Sequence, residues 1–125
     1  MSRLNRLIEM DHDVGKSTSP PKLLKVADYP SWKERFENFA RFNNIRVWIC
    51  ITNGYVPPSM EFEGSRKVTS YSAMKDEDKK MFEAENKAYS GITMCLPLEI
   101  LHTFKKYRMS KELWEALENR YEGNT

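Results

Sequence analysis

Apolar residues recur at helical spacing along most of the chain after Asp28. Trp32, Phe36, Phe39 and Ala40 stand at i, i+4, i+7 and i+8, which is one face of a helix, while Lys33, Glu34, Glu37 and Arg41 fall mainly elsewhere. Pro30 fits the first turn, where a missing N–H costs nothing. The spacing predicts a helix from about Pro30 to Asn43, ended by the poor helix formers Asn43 and Asn44. A second stripe, Met81, Ala88, Tyr89, Ile92, Cys95 and Leu96, predicts a long helix starting near Lys75-Asp76-Glu77-Asp78. Its acidic opening suits the positive end of the helix dipole. Glu85 interrupts that stripe, as an edge residue or a paired carboxylate.

Pro97 stops the long helix, and Leu98–Phe104 reads as a short one. The last segment has clear bounds: Ser110 as N-cap, Leu113, Trp114, Leu117 and Tyr121 on one face, and Gly123 as terminator. Ile45–Gly54 is ambiguous. Its β-branched residues favour a strand, whereas Gly54 as a C-terminal cap would make it a short buried helix. Tyr55-Val56-Pro57-Pro58 opens a segment that reads as a polar loop to about Met74, with no partner strand.

The expected architecture is all-α, a compact bundle of about five helices over residues 28–123. Residues 1–27 are expected to form a flexible N-terminal segment, since Gly15, the serines and Pro20-Pro21 break regular structure. Leu4, Leu7 and Ile8 support at most a short amphipathic turn there. The expected core is Trp32, Phe36, Phe39, Trp48, Ile92, Leu96, Trp114, Leu117 and Tyr121.

Composition narrows the function classes. With 125 residues the chain makes one domain, and 40 % hydrophobic and 12 % aromatic residues suffice for a core. No apolar run approaches ~18 residues and no signal peptide opens the chain, so a cytoplasmic protein without a membrane span is expected. Net charge is +2, with 5 Lys/Arg against 3 Asp/Glu in residues 1–27 and 15 of each in the rest. That balance argues against a dedicated nucleic-acid groove. Cys50 and Cys95 lie far apart in apolar stretches and read as buried free thiols.

Catalytic motifs fail on spacing or context. Gly15-Lys16-Ser17-Thr18 resembles the end of a phosphate-binding loop, but Met10 stands where the first glycine belongs, and no buried strand precedes it. His12, flanked by Asp11 and Asp13, and His102 are isolated. No serine elbow and no Asp-Thr-Gly or Asp-Ser-Gly occurs. Neither an enzyme nor a cofactor or small-molecule substrate is expected. Lys105-Lys106-Tyr107-Arg108 alone interleaves basic and aromatic residues, as single-strand nucleic-acid binders do.

Four segments carry a resemblance. Asp28-Tyr29-Pro30-Ser31-Trp32-Lys33 resembles the Tyr-x-x-Trp-Lys opening of the first capsid helix in plant Copia-type retrotransposon Gag polyproteins. Asn53-Gly54-Tyr55-Val56-Pro57-Pro58 resembles their Gly-Tyr-x-Pro-Pro element, and Glu85-Asn86-Lys87-Ala88 their Asn/Asp-Lys-Ala element. Ser110–Gly123 is similar to their Lys-Glu-x-Trp-x-x-Leu-x-x-x-Tyr-x-Gly signature. All four occur in family order over roughly residues 28–123. The resemblance implies helix over Ile45–Thr52 and the N-terminal lobe of a capsid. It implies weak self-association into a virus-like particle shell around element RNA, with RNA bound through a more C-terminal region this chain does not contain. Arg35, Arg41, Lys105, Lys106 and Arg108 are the expected oligomer contacts. The alternative is a domesticated Gag-derived module that binds other proteins in a host.

Overall fold

The computed structural model describes residues 19–122. Leu4, Leu7, Ile8, Asp11, His12, Asp13, the Gly15–Thr18 motif and Gly123 lie outside that range. Five α-helices and one two-stranded sheet follow in order: α1 (Tyr29–Asn43), α2 (Ile45–Asn53), β1 (Ser59–Phe62), β2 (Ser65–Val68), α3 (Asp76–Cys95), α4 (Leu98–Phe104) and α5 (Ser110–Tyr121). Single 3₁₀ turns precede α1 at Val26–Asp28 and α3 at Tyr71–Ala73.

Asn44 both ends α1 and starts α2. Its backbone is extended, its N–H returns to the Ala40 carbonyl, and its side chain accepts the Arg46 N–H at 3.0 Å. The Ile45–Thr52 run is helical, as the family resemblance implied. Val47, Cys50 and Ile51 are buried at helical spacing, and Gly54 closes the helix with φ 86°. Burial on one face thus overrides the β-branched preference. α2 packs against α1, α3 and α5, and α5 also meets α3 and α4.

An aromatic chain fills the centre. Trp32, Trp114 and Phe36 stand 5.3–5.7 Å apart by ring centroids, Trp48 meets Trp114 edge-on at 5.5 Å, and Tyr29 links Trp32 to Tyr121. Of the expected core, Trp32, Phe36, Ile92, Leu96, Trp114 and Leu117 are buried. Trp48 and Tyr121 are half-buried and pack on the core from its rim. Phe39 is also half-buried.

Two expectations require correction. The folded unit begins upstream of Asp28. Leu23 is 1 % exposed and its N–H donates to the Cys95 carbonyl at 2.9 Å, while Trp32 Nε1–H donates to the Pro21 carbonyl at 2.7 Å. The last α3 carbonyls have no partner within the helix, and a buried indole N–H needs an acceptor, so the incoming segment satisfies both. The stretch read as a loop contains a β-hairpin. β1 and β2 pair antiparallel with Ser59 opposite Val68 and Phe62 opposite Ser65. Glu63 (φ 50°) and Gly64 (φ 82°) both take positive φ, as a two-residue type I′ turn requires.

Candidate interaction surfaces

The titratable groups inside the bundle hold structure together. Glu85 is buried and accepts two hydrogen bonds from Ser110, from the N–H at 2.8 Å and the hydroxyl at 2.6 Å. It is thus a paired carboxylate, placed where the first amides of α5 and the helix dipole favour an anion. Ser110 is not the N-cap expected of it; Met109 holds that position and Ser110 opens the helix as a donor. Cys50 and Cys95 are buried free thiols. Burial pushes Cys50 up to about 11, with Glu85 adding to the rise, and pushes Cys95 up to about 12. Both therefore stay protonated near neutrality. Among the described residues no group of three or more His, Cys, Asp or Glu side chains is placed to hold a metal ion. His102 is exposed on α4.

The residues expected to make oligomer contacts are all exposed, in two groups. Arg35 and Arg41 lie on α1, where Arg41 pairs with Glu37 one turn back at 3.0 Å. Lys105, Lys106 and Arg108 lie on the connection from α4 to α5. Tyr89 Oη–H donates to the Tyr107 carbonyl at 2.7 Å, which pins that connection, and Lys106 sits over the Tyr107 ring. The α1–α5 seam has its own ion cluster: Lys33 Nζ lies 2.7 Å from Glu118 and 2.9 Å from Glu122. Burial pulls the Lys33 ammonium down, but the two carboxylates outweigh it and raise its pKa.

Two surfaces were not anticipated from the sequence. A groove of ≈ 360 Å³ lies among α1, α2 and α3, lined by Phe36, Phe39 and Ala40 of α1, Val47 of α2, and Ser90, Gly91 and Met94 of α3, with Pro20. Gly91 faces Phe36 across it, and a Cβ there would make an ordinary van der Waals contact with Phe36 Cζ at 3.7 Å. Its cue in the sequence was Phe39 next to the Phe36 stripe, read as core.

The hairpin is the second surface. Every residue from Met60 to Val68 is exposed, including Met60 at 53 %, Phe62 at 57 % and Val68 at 67 %. Thr69 N–H donates to the Pro58 carbonyl at 2.8 Å, which sets the alternation of the ladder. Met60/Lys67 and Phe62/Ser65 therefore bond inward, while Ser59 and Glu61 on β1 and Arg66 and Val68 on β2 turn their backbone groups outward. The outer edges differ in charge, with Glu61 on β1 and Arg66 and Lys67 on β2. Arg66 donates only to the neutral Ser59 hydroxyl, at 3.1–3.2 Å, and Lys67 lies over the Phe62 ring. None of these charges enters an ion pair among the described residues.

No described helix is long and apolar enough to cross a membrane. Comparison with protein-family models, with curated proteins and with solved structures finds no match to this chain.

Proposed function

We propose that this chain is a structural lobe of the Copia-type Gag kind, which helps build a cytoplasmic particle shell around element RNA and catalyses no reaction. The observation that carries this reading is where the four Gag-like segments fall, since each occupies a joint of the bundle. Tyr29 and Trp32 open α1 and anchor the aromatic chain. Gly54 closes α2. Glu85 holds the first turn of α5, and Trp114, Leu117 and Tyr121 complete the centre. Shell building needs rigid lobes with small exposed patches, whose weak contacts multiply on ring closure.

Sedimentation and negative-stain microscopy test it, on this chain and on the chain joined to a second Gag lobe. Rings or closed particles from the joined form are expected. A strict monomer in both forms at high concentration overturns the reading.

The groove between α1 and α3 favours a second reading, a domesticated module that takes an apolar peptide of a host protein. Ser90 lines it on α3, and filling the groove with Ser90→Trp would then abolish peptide binding while leaving the helical fold intact by circular dichroism.

A further inference from the structure

We propose that the segment before Ser19 folds back on the bundle and fills the groove among α1, α2 and α3 with Leu4, Leu7 and Ile8. The inference rests on the groove and on how the chain enters it, and on neither reading of the whole molecule. The groove leaves apolar surface uncovered. Met94 is 62 % exposed and Phe39 half-buried, beside the buried Phe36, Ala40 and Val47. An apolar occupant would take that surface out of water.

The route of the chain names the occupant. Pro20 is buried and lines the groove, the Pro21 carbonyl accepts the Trp32 indole N–H, and Leu23 is bonded to the end of α3. Followed backward, the chain leads from the end of α3 to the groove, and the residues before Ser19 depart from its edge. Among them Leu4, Leu7 and Ile8 stand at i, i+3 and i+4, one face of a helical turn, with Arg6 and Glu9 on the opposite side. The stretch from Ile8 to Pro20 reaches up to about 40 Å when extended, so no part of the groove is out of range. Such a tether also holds the segment at an effective concentration on the order of mM, which favours it over a second copy in dilute solution. Charge agrees. Lys87, the charged residue of the lining, enters no ion pair among the described residues, and the apolar turn is followed by Glu9, Asp11 and Asp13. Docked in this way, the segment closes the groove to outside peptides until it leaves.

Nuclear magnetic resonance of the full chain tests it. In the triple variant Leu4→Asp/Leu7→Asp/Ile8→Asp the methyl signals of Val47 and Met94 and the amide signals of Ser90 and Gly91 should shift. Circular dichroism should keep the helical signal, since the substituted residues lie outside the bundle. A synthetic peptide of residues 1–14 should return those signals toward their original positions. It should bind the triple variant at least about tenfold more tightly than the original chain, whose groove is already taken. With Ser90→Trp filling the groove, the peptide should not bind, and adding the triple substitution should no longer move the Val47 and Met94 signals. Unmoved groove signals in the triple variant, or equal peptide affinity for it and the original chain, overturn the inference. Signals that change with protein concentration would give the groove to a second copy and overturn it as well. Each of these outcomes leaves the shell reading standing.

Discussion

Replacing Glu85 by Ala strands the Ser110 amide and hydroxyl in a buried site. Removing an acceptor costs more than the bonds themselves are worth, because the donors left behind have lost their water. A loss of about 2–4 kcal/mol is expected for Glu85→Ala, from two stranded donors and a small void. Glu85→Gln keeps the side-chain volume and one acceptor oxygen, so it should lose less. Urea unfolding of both variants beside Ser110→Ala, combined as a double-mutant cycle, reads the coupling directly. Helical spacing left Glu85 as an edge residue or a paired one. It could not name the partner, because Ser110 lies 25 residues away and only the fold brings it near.

At the scale of elements, the joints decide the outcome. Gly54 takes φ 86° and ψ 162° at the end of α2, a region essentially confined to glycine that costs other residues about 1–3 kcal/mol. Gly54→Ala should therefore destabilise the bundle by about 1–3 kcal/mol, read as a lower thermal midpoint. The added Cβ would meet only the flexible Lys111 side chain at 3.2 Å, so backbone strain is the main term. The helices with a full apolar stripe, α1, α3 and α5, were legible in the sequence because their period repeats over several turns. α2 was not, since five β-branched residues in a short run (Ile45, Val47, Ile49, Ile51 and Thr52) speak for strand locally. Contacts with α1, α3 and α5 reverse that preference. The hairpin escaped because neither of its faces is buried. Met60 and Phe62 do alternate with Ser59 and Glu61, and Gly64 marks the turn, but Glu63 stands where Asn or Asp would have announced it. The groove left no more than Phe39 beside the Phe36 stripe as its cue, because it is made by elements meeting.

For the molecule as a whole, the aromatic chain is the common support. Trp114 touches Trp32, Phe36 and Trp48 at ring distances of 5.5–5.7 Å, so it ties α1, α2 and α5 together. Trp114→Ala should cost about 3–5 kcal/mol, a large part of the 5–15 kcal/mol that stabilises a typical domain. Loss of the near-ultraviolet dichroism with much of the helical signal retained is the expected result. A sharp near-ultraviolet spectrum in that variant would show that the rings pack without their hub.

The pairing of early with late residues also bears on how the chain is made. Leu23 is held by Cys95, and Tyr29 stacks with Tyr121. A chain synthesised from its N-terminus therefore offers Tyr29, Trp32 and Phe36 to the cell well before Trp114, Leu117 and Tyr121 exist to cover them. Domains generally fold as units during synthesis. This one must wait for α5 to leave the ribosome, and until then the nascent chain carries its stickiest residues uncovered, as a ready client for chaperones.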